Sequence, residues 1–191
     1  MTRRIARFLL CALLMSVASP AAASDGPGTA SAPLPKGLEN LQSSDPYQRE
    51  LAFLRLEAQR DPASAPIIRR FISDKDSGTR AYAARALAAV EGQAAAATLR
   101  ERLHQERDAR VRRALLLALE PLRQFEPDLL DDFIASLKDH DAEVRMAAVD
   151  IVSRVDDPRA NETLRLRKRR EGNRDVRRVL KTALLRLGPK T

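Results

Sequence analysis

The residues of this sequence that are best suited to metal chemistry are its two histidines and the acids beside the second one. The segment KDHDAE places Asp139, His140 and Asp141 in a row, and imidazole and carboxylate groups are common ligands of zinc and iron. A zinc site needs three or four ligands, however, and such residues also collect in turns, where they hydrogen-bond to the backbone. We therefore predict that this segment forms a turn and that the protein binds no metal and no other cofactor.

Two carboxylate pairs, Asp131–Asp132 and Asp156–Asp157, are the other groups that could perform acid–base chemistry. Each pair lies near a predicted helix start or an exposed face, where capping or solvated roles are commoner than proton transfer. The sequence contains no Gly-x-Ser-x-Gly elbow, no phosphate-binding loop and no dinucleotide-binding glycine pattern. Its single cysteine, Cys11, lies in a segment that we expect to be removed. These observations predict a protein that is not an enzyme.

The first 23 residues have the pattern of a bacterial secretory signal peptide. Three arginines give a positive start, the run FLLCALLMSVA at 8–18 is apolar, and AAA at 21–23 offers small residues for cleavage. The apolar run is too short to span a bilayer core, which needs about 20 residues. We predict cleavage after Ala23, a flexible Gly-, Pro- and Ser-rich linker at 24–35, and export to the periplasm or the medium with no transmembrane span.

Five copies of one pattern, 31 to 33 residues apart, follow the linker. With Val144 as the reference position, every copy has Arg at the next position, Asp or Asn three residues earlier, and a small or apolar residue four and eight residues later. The arginines are Arg49, Arg80, Arg112, Arg145 and Arg177, and the earlier polar residues are Asp45, Asp76, Asp108, Asp141 and Asn173. Asp and Asn are good helix N-caps, and the spacing of the apolar positions predicts an amphipathic helix of about four turns.

A second helix is predicted before each of these helices. At the start of three of these second helices an acidic residue directly precedes a proline, and this order is common at helix starts. The prolines are Pro62, Pro127 and Pro158. A helix pair of this size cannot bury its apolar face alone, whereas a stack of such pairs can. Aromatic residues make up 4% of the chain and Trp is absent, which disfavours β-sandwiches and barrels. We predict an all-α fold, an α-solenoid of five helix–turn–helix repeats over residues 36–189.

The segments DARVRRAL at 108–115 and DAEVRMAA at 141–148 resemble the HEAT-like repeats of the phycobilisome-lyase type. The resemblance covers Lys36 to about Pro189. It implies that Asp and Arg side chains form hydrogen-bonded ladders between successive repeats. The implied ladder residues are Asp45, Asp76, Asp108, Asp141, Arg49, Arg80, Arg112, Arg145 and Arg177. Asn173 departs from the pattern in the last repeat.

The HEAT-like class includes bilin lyases and an iron-dependent deoxyhypusine hydroxylase, which binds its metal through His-Glu pairs. This sequence has no His-Glu dipeptide, because Gln105 follows His104 and Asp141 follows His140. The resemblance therefore does not extend to the hydroxylase's metal site. A lyase role is left open, although no thiol remains after signal cleavage and no residue pattern marks a bilin pocket.

In HEAT-like stacks the second helix of each unit lines the concave face. Opposite its core stripe lie the positions two and six residues after the reference, which mix apolar residues with arginines. The candidate partner-binding residues on this face are Arg85, Arg113, Leu117, Met146 and Arg178. An apolar strip between arginines suits a protein or peptide partner. Scattered surface leucines, which are common on soluble proteins, are the alternative.

Positive charge is concentrated in the last repeat. Residues 157–191 contain 12 basic and 4 acidic residues, and RLRKRR at 165–170 is the densest run. Its candidate anion-binding residues are Arg165, Arg167, Lys168, Arg169 and Arg170. An anionic lipid, lipopolysaccharide, a cell-wall polymer or an acidic protein would suit an exported chain, and export together with few aromatic residues disfavours nucleic acid. The alternative is a charged cap that keeps the end of the solenoid soluble.

Taken together, the residues and the resemblance predict a non-catalytic interaction scaffold or adaptor of the bacterial cell envelope. Its partner is expected along the concave face of the solenoid. The alternative is a HEAT-like lyase or an accessory protein of one. A hydrophobic pocket with converging polar groups would favour the lyase, whereas a smooth groove would favour the scaffold.

Overall fold

The computed structural model describes residues 38–188, and every regular element in that range is helical. The α-helices are α1 (Pro46–Gln59), α2 (Ala65–Arg69), α3 (Ser77–Glu91), α4 (Ala96–Gln105), α5 (Ala109–Leu119), α6 (Leu129–Ser136), α7 (Ala142–Val152), α8 (Pro158–Arg170) and α9 (Arg174–Leu187). Short 3-10 helices lie at Glu39–Gln42, Pro62–Ser64, Gly92–Ala95 and Glu120–Gln124. The predicted all-α fold is confirmed. The predicted signal peptide (1–23) and linker (24–35) lie outside the described residues.

The helices form two layers. Each odd-numbered helix packs against the next odd-numbered helix, from α1 to α9, and we call this row the odd layer. Each even-numbered helix packs against the odd-numbered helix that follows it in the chain, and these helices form the even layer. This is the helix-pair stack that the repeat predicts. Within 38–188 the first repeat differs, because the 3-10 helix Glu39–Gln42 takes the place of a full helix before α1.

The odd-layer helices begin where the sequence predicts. In each one the side chain of the predicted N-cap residue accepts a hydrogen bond from a backbone N–H of the first turn, with N···O distances of 2.7–2.9 Å for the shortest bond of each cap. The capping residues are Asp45, Asp76, Asp108, Asp141 and Asn173. These bonds satisfy backbone donors that have no partner inside the helix. The N-cap prediction is therefore confirmed at all five positions.

One apolar core runs between the two layers. Small residues on α3, among them Ala83 and Ala84, are completely buried and allow close packing of α3 against its neighbours. Leu115, Leu116 and Leu119 on α5 are also fully buried. Because each repeat contributes only part of this core, the stability of any one helix pair depends on the next. None of the helices between residues 38 and 188 has the length and hydrophobicity needed to cross a bilayer.

Candidate binding groove and the ladder that supports it

The ladder arginines connect successive repeats through the loops that precede the odd-layer helices. Arg80 donates from Nη1 to the backbone carbonyls of Asp74 and Lys75 in its own repeat, at 2.8 and 3.1 Å. Its Nε and Nη2 donate to the two carboxylate oxygens of Glu106 in the next repeat, at 2.8 and 2.9 Å. Arg112 and Arg145 make the equivalent bidentate pairs with Asp139 and Glu171. Each guanidinium therefore joins two loops.

We call each arginine with its carboxylate partner a rung of the ladder. The carboxylates of these three rungs are not the ones that the sequence resemblance implies. Glu106, Asp139 and Glu171 each stand two residues before the N-cap, whereas Asp108 and Asp141 cap their helices and do not accept the ladder bonds. An N-cap carboxylate is already committed to backbone N–H groups, so a second acid takes the guanidinium. The signal was present in the sequence, because an acidic residue precedes four of the five N-caps at this spacing.

The two ends of the ladder differ from its middle. Arg49 does pair with an N-cap, since its Nη2 lies 3.3 Å from Asp76 while its Nε donates to Thr79 Oγ1 at 3.0 Å. Arg177, in the last repeat, is exposed, and its side chain makes no hydrogen bond or ion pair with any residue in the described range 38–188. The ladder therefore has three doubly bonded middle rungs, one weaker first rung and one open end.

The middle rungs are ionised at neutral pH. Burial of Glu106 disfavours its charged form, but hydrogen bonds from Arg80, from the backbone N–H of Asp108 and from Arg102 outweigh burial and hold its pKa at about 2. For Glu171, burial is likewise outweighed, first by the backbone N–H of Asn173 and then by two arginines, so its pKa is also about 2. These carboxylates stay charged and keep the loops fixed.

An open groove of about 700 Å³ lies on the odd layer between α3 and α5. We call it the α3/α5 groove. Tyr82, Leu117 and Phe125 supply its large apolar surface, and Leu117 and Phe125 are 40% and 51% exposed. The 3-10 helix Glu120–Gln124 closes one side and carries Phe125 at its end. Exposed aromatic and leucine side chains around a concavity are typical of a binding surface.

Four arginines surround this apolar surface: Arg60, Arg85, Arg110 and Arg113. Arg85 forms a salt bridge with Glu57 at 3.1 Å. The other three are exposed and have no side-chain partner within residues 38–188. Arg60 also has a left-handed backbone (φ 51°, ψ 33°) at the end of α1, which is unusual for a residue other than glycine. The groove thus combines an apolar floor with three unneutralised guanidinium groups.

The structure brings together three of the five predicted partner-binding residues. Arg85, Arg113 and Leu117 line the α3/α5 groove. Met146 is half-buried and packs against the core, while Arg178 is far along the odd layer and pairs with Asp175 at 3.1 Å. A strip along the whole odd layer is therefore not formed. Periodicity missed four lining residues that lie on helix ends, on other faces or in irregular turns: Arg60, Tyr82, Arg110 and Phe125.

Asp132 corrects a second expectation. Instead of being a solvated or capping residue, it is buried, with 8% of its side chain exposed. His104 Nε2 lies 2.6 Å from its Oδ1, and Arg100 Nε lies 2.5 Å from its Oδ2 in an ion pair without hydrogen-bond alignment. His104 and Arg100 also line a shallow groove of about 880 Å³ beside α4. The cluster joins α4 to α6 in the even layer, away from the α3/α5 groove.

The turn KDHDAE serves the backbone and the ladder. Asp139 accepts from Arg112 and from the backbone N–H of Asp141, and Asp141 caps α7. Between residues 38 and 188 no three His, Cys, Asp or Glu side chains converge as a metal site would require. Asp157 caps α8 through the backbone N–H of Arg159, as expected for a carboxylate at a helix start.

The predicted anion-binding residues of α8 divide into two groups. Arg165 donates to Asn161 and to the backbone carbonyl of Gly188, and Arg167 donates to the ladder carboxylate Glu171 at 2.6 Å. Lys168, Arg169 and Arg170 are exposed and have no side-chain partner within the described residues. Two of the five residues therefore hold the last repeat together, and three are free to meet an anion.

Comparisons with known proteins agree with this architecture. The family model described as HEAT repeats matches residues 34–120. A chain in the structure of the complex of CpcE and CpcF of phycocyanin lyase from Nostoc sp. PCC7120 superposes with a TM-score of 0.64 at 22% sequence identity, over 76% of this chain and 94% of that one. No curated protein sequence matches the chain significantly. At this identity the structural likeness concerns the fold.

The prediction that this protein is not an enzyme is wrong in the light of the structural comparison. It rested on missing catalytic motifs and a missing thiol, whereas a chain of a phycocyanin lyase complex has a similar helical stack. The chain thus has the fold of a helical stack of the HEAT-repeat kind, and residues 34–120 match the HEAT-repeat family model.

Proposed function

We propose that this chain is a HEAT-like lyase or the accessory subunit of one, and that it holds its ligand in the α3/α5 groove. The observation that carries the proposal is the composition of that groove. Tyr82, Leu117 and Phe125 offer an apolar surface, and Arg60, Arg110 and Arg113 stand around it without partners in the described chain. A pocket that is mostly apolar with a few converging charged groups is typical of a small-molecule site.

The groove fits an extended, flat, apolar molecule that carries carboxylates. Its volume of about 700 Å³ is within the range of ligand sites in proteins. Aromatic rings can stack against a conjugated ligand, and a guanidinium can bind a carboxylate through two parallel hydrogen bonds. A bilin, which is a linear tetrapyrrole with propionate side chains, has this chemistry. The structural likeness to a phycocyanin lyase chain supports the same ligand class.

The ladder supports the groove by fixing both of its walls. Arg80 holds the start of α3 against the loop before α5, and Arg112 holds the start of α5 against the loop before α7. A binding site is most effective when the elements that carry it are rigid before the ligand arrives. In the proposed function, this chain binds and orients the ligand and acts in a complex with a second protein. The similar phycocyanin lyase chain supports this part of the proposal, because its structure is that of a complex of CpcE and CpcF.

Titration of the purified protein with biliverdin tests the proposal. We expect saturable binding, seen as a change in biliverdin absorbance, that weakens about tenfold or more in Arg113→Glu because a bound carboxylate would meet a like charge. Leu117→Asp should weaken binding by a similar factor. Arg178→Glu is the matched control, since Arg178 occupies the same repeat position as Arg113 but lies outside the groove. Equal losses for Arg113→Glu and Arg178→Glu, or no saturable binding, would refute the proposal.

A further inference from the structure

The last helix of the described odd layer exposes a row of residues whose equivalents on the earlier helices are buried or half-buried. One turn after each ladder arginine, the first four helices carry a buried apolar residue: Phe53, Ala84, Leu116 and Val149. In α9 the same position is Lys181, which is exposed, as is Arg177 one turn before it. Leu185, one turn further on, is 72% exposed. Arg177, Lys181 and Leu185 therefore share one outward row, which we call the α9 end face.

Arg177 occupies the ladder position of the last repeat, but no carboxylate of the described chain pairs with it. In the three middle rungs an arginine at this position receives a carboxylate from the following repeat through Nε and Nη2. Arg177 has the same place after its N-cap, Asn173, but the described chain offers it no carboxylate. Asp175, two residues before Arg177, is paired with Arg178. Arg177 thus presents the donors of a bidentate pair to solvent at the end of the described stack.

Lys181 indicates what kind of surface would cover this end. Another repeat of the same type would need an apolar residue at this position, as in α1, α3, α5 and α7. A buried lysine would instead need an anionic partner, since burying an unpaired charge is costly. The end face therefore suits a second carboxylate one helical turn from the first, with an apolar side chain against Leu185. That combination describes an acidic, partly apolar helix.

A second copy of this chain does not meet the requirement at its first repeat. The residue two positions before its first N-cap is Ser43, where the later repeats have Asp or Glu. The Ser43 hydroxyl accepts a hydrogen bond from the backbone N–H of Asp45 and carries no charge for Arg177. In head-to-tail stacking of identical chains, Arg177 would meet only the N-cap Asp45, in the weaker manner of Arg49 with Asp76, and the bidentate pair of the middle rungs would not form. We infer that the α9 end face docks a different protein, which supplies a carboxylate to Arg177 and a second acid to Lys181.

Binding of a defined acidic helix to the purified protein tests this inference. The probe is a fluorescein-labelled helical peptide with two Glu one turn apart and a Leu one turn later, and its control has Gln in place of both Glu. Fluorescence anisotropy should show the Glu peptide binding about tenfold tighter than the Gln peptide. Arg177→Glu should weaken binding of the Glu peptide about tenfold. Arg177→Lys should weaken it less, because lysine keeps the charge but lacks the two parallel N–H donors of a guanidinium.

Arg178→Glu is the control variant, because it changes the same charge on the neighbouring residue of α9 but outside the row. We expect it to alter affinity less than about threefold. Arg177→Glu should unfold at the same temperature as the unmodified protein, since Arg177 has no partner to lose. Equal losses for the two variants would show a general attraction to a basic surface and would overturn the inference. Equal affinity for the Glu and Gln peptides, or a large loss of stability in Arg177→Glu, would also overturn it.

Discussion

The middle and the ends of the ladder carry the same arginine at the same repeat position but in different surroundings. Arg145, in the middle, has 10% of its side chain exposed and binds Glu171, which has 1% exposed. Arg49, at the start, faces Asp76, whose side chain is 44% exposed. Arg177, at the end, has no partner in the described chain. The arginine's own repeat thus determines where the guanidinium lies, and the partner from the next repeat determines how much the guanidinium contributes to stability.

Removing the arginine should therefore cost most in the middle. Arg145→Ala would leave the buried Glu171 with only part of its charge compensation and would free the backbone carbonyls of Asp139 and His140. We expect a loss of about 3 kcal/mol in the free energy of unfolding. Arg49→Ala should cost about 1 kcal/mol or less, because its ion pair is solvated. Urea denaturation followed by circular dichroism measures both, and equal losses would contradict this comparison.

The middle rungs should also make the protein sensitive to acid. Glu106 and Glu171 have pKa values of about 2 in the folded protein, below the ordinary 4.5. As the pH falls, the unfolded chain therefore takes up protons first. The stability from each carboxylate is complete above about pH 4.5 and is lost between that value and about 2. We expect each to account for roughly 3 kcal/mol over that window.

Substitution of Glu171 tests whether this ladder carboxylate is a source of the acid sensitivity. Glu171→Gln should be less stable than the unmodified protein at pH 7, and its stability should fall less steeply between pH 4.5 and 2, because one of the titrating groups is gone. Glu162→Gln is the control, since Glu162 is exposed on the same helix, α8. Thermal unfolding across this pH range gives the comparison. A parallel acid slope for Glu171→Gln and the unmodified protein would rule out this source of the pH dependence.

The sequence was most informative where one residue type has one role. Asp and Asn at the start of a periodic helix predicted the N-caps, and the arginine position was predicted for every rung. The ladder acid was missed because two carboxylates stand near each helix start. One of them, such as Asp141, satisfies backbone N–H groups, and the other, such as Asp139, is left for the guanidinium. Spacing alone does not tell which acid takes which role.

The groove was predicted only in part because its shape depends on irregular backbone. Periodicity placed Arg85, Arg113 and Leu117 on the outer face of the odd layer, and these residues do line the groove. Phe125 reaches it from the end of the 3-10 helix Glu120–Gln124, and Arg60 reaches it from a left-handed residue after α1. Neither position follows from a helical repeat. The same limit applies to Asp132, whose surroundings include His104 and Arg100 from the preceding repeat.

In the basic run of α8 we expect the smallest difference in stability between changing a paired side chain and changing an unpaired one. Arg167 lies one turn before Glu171 and donates two hydrogen bonds to it, whereas Lys168 is exposed and unpaired within the described residues. Arg167→Glu would place two carboxylates at that spacing, and we expect it to lower the free energy of unfolding by about 1 kcal/mol. Lys168→Glu, the matched control, should change it by less than about 0.5 kcal/mol. Thermal unfolding at low and high salt measures both.

The same variants separate a structural cap from an anion-binding surface. Lys168, Arg169 and Arg170 are the residues of the run that remain free, so reversing all three should leave the melting temperature nearly unchanged. For the proposed docking of this cluster to an anionic surface, we expect the unmodified protein to bind phosphatidylglycerol vesicles and to release them as salt rises, since the attraction is screened over about 8–10 Å. The triple reversal should abolish that binding. Binding that survives the reversal, or vesicles ignored even at low salt, would leave the cluster as a charged cap alone.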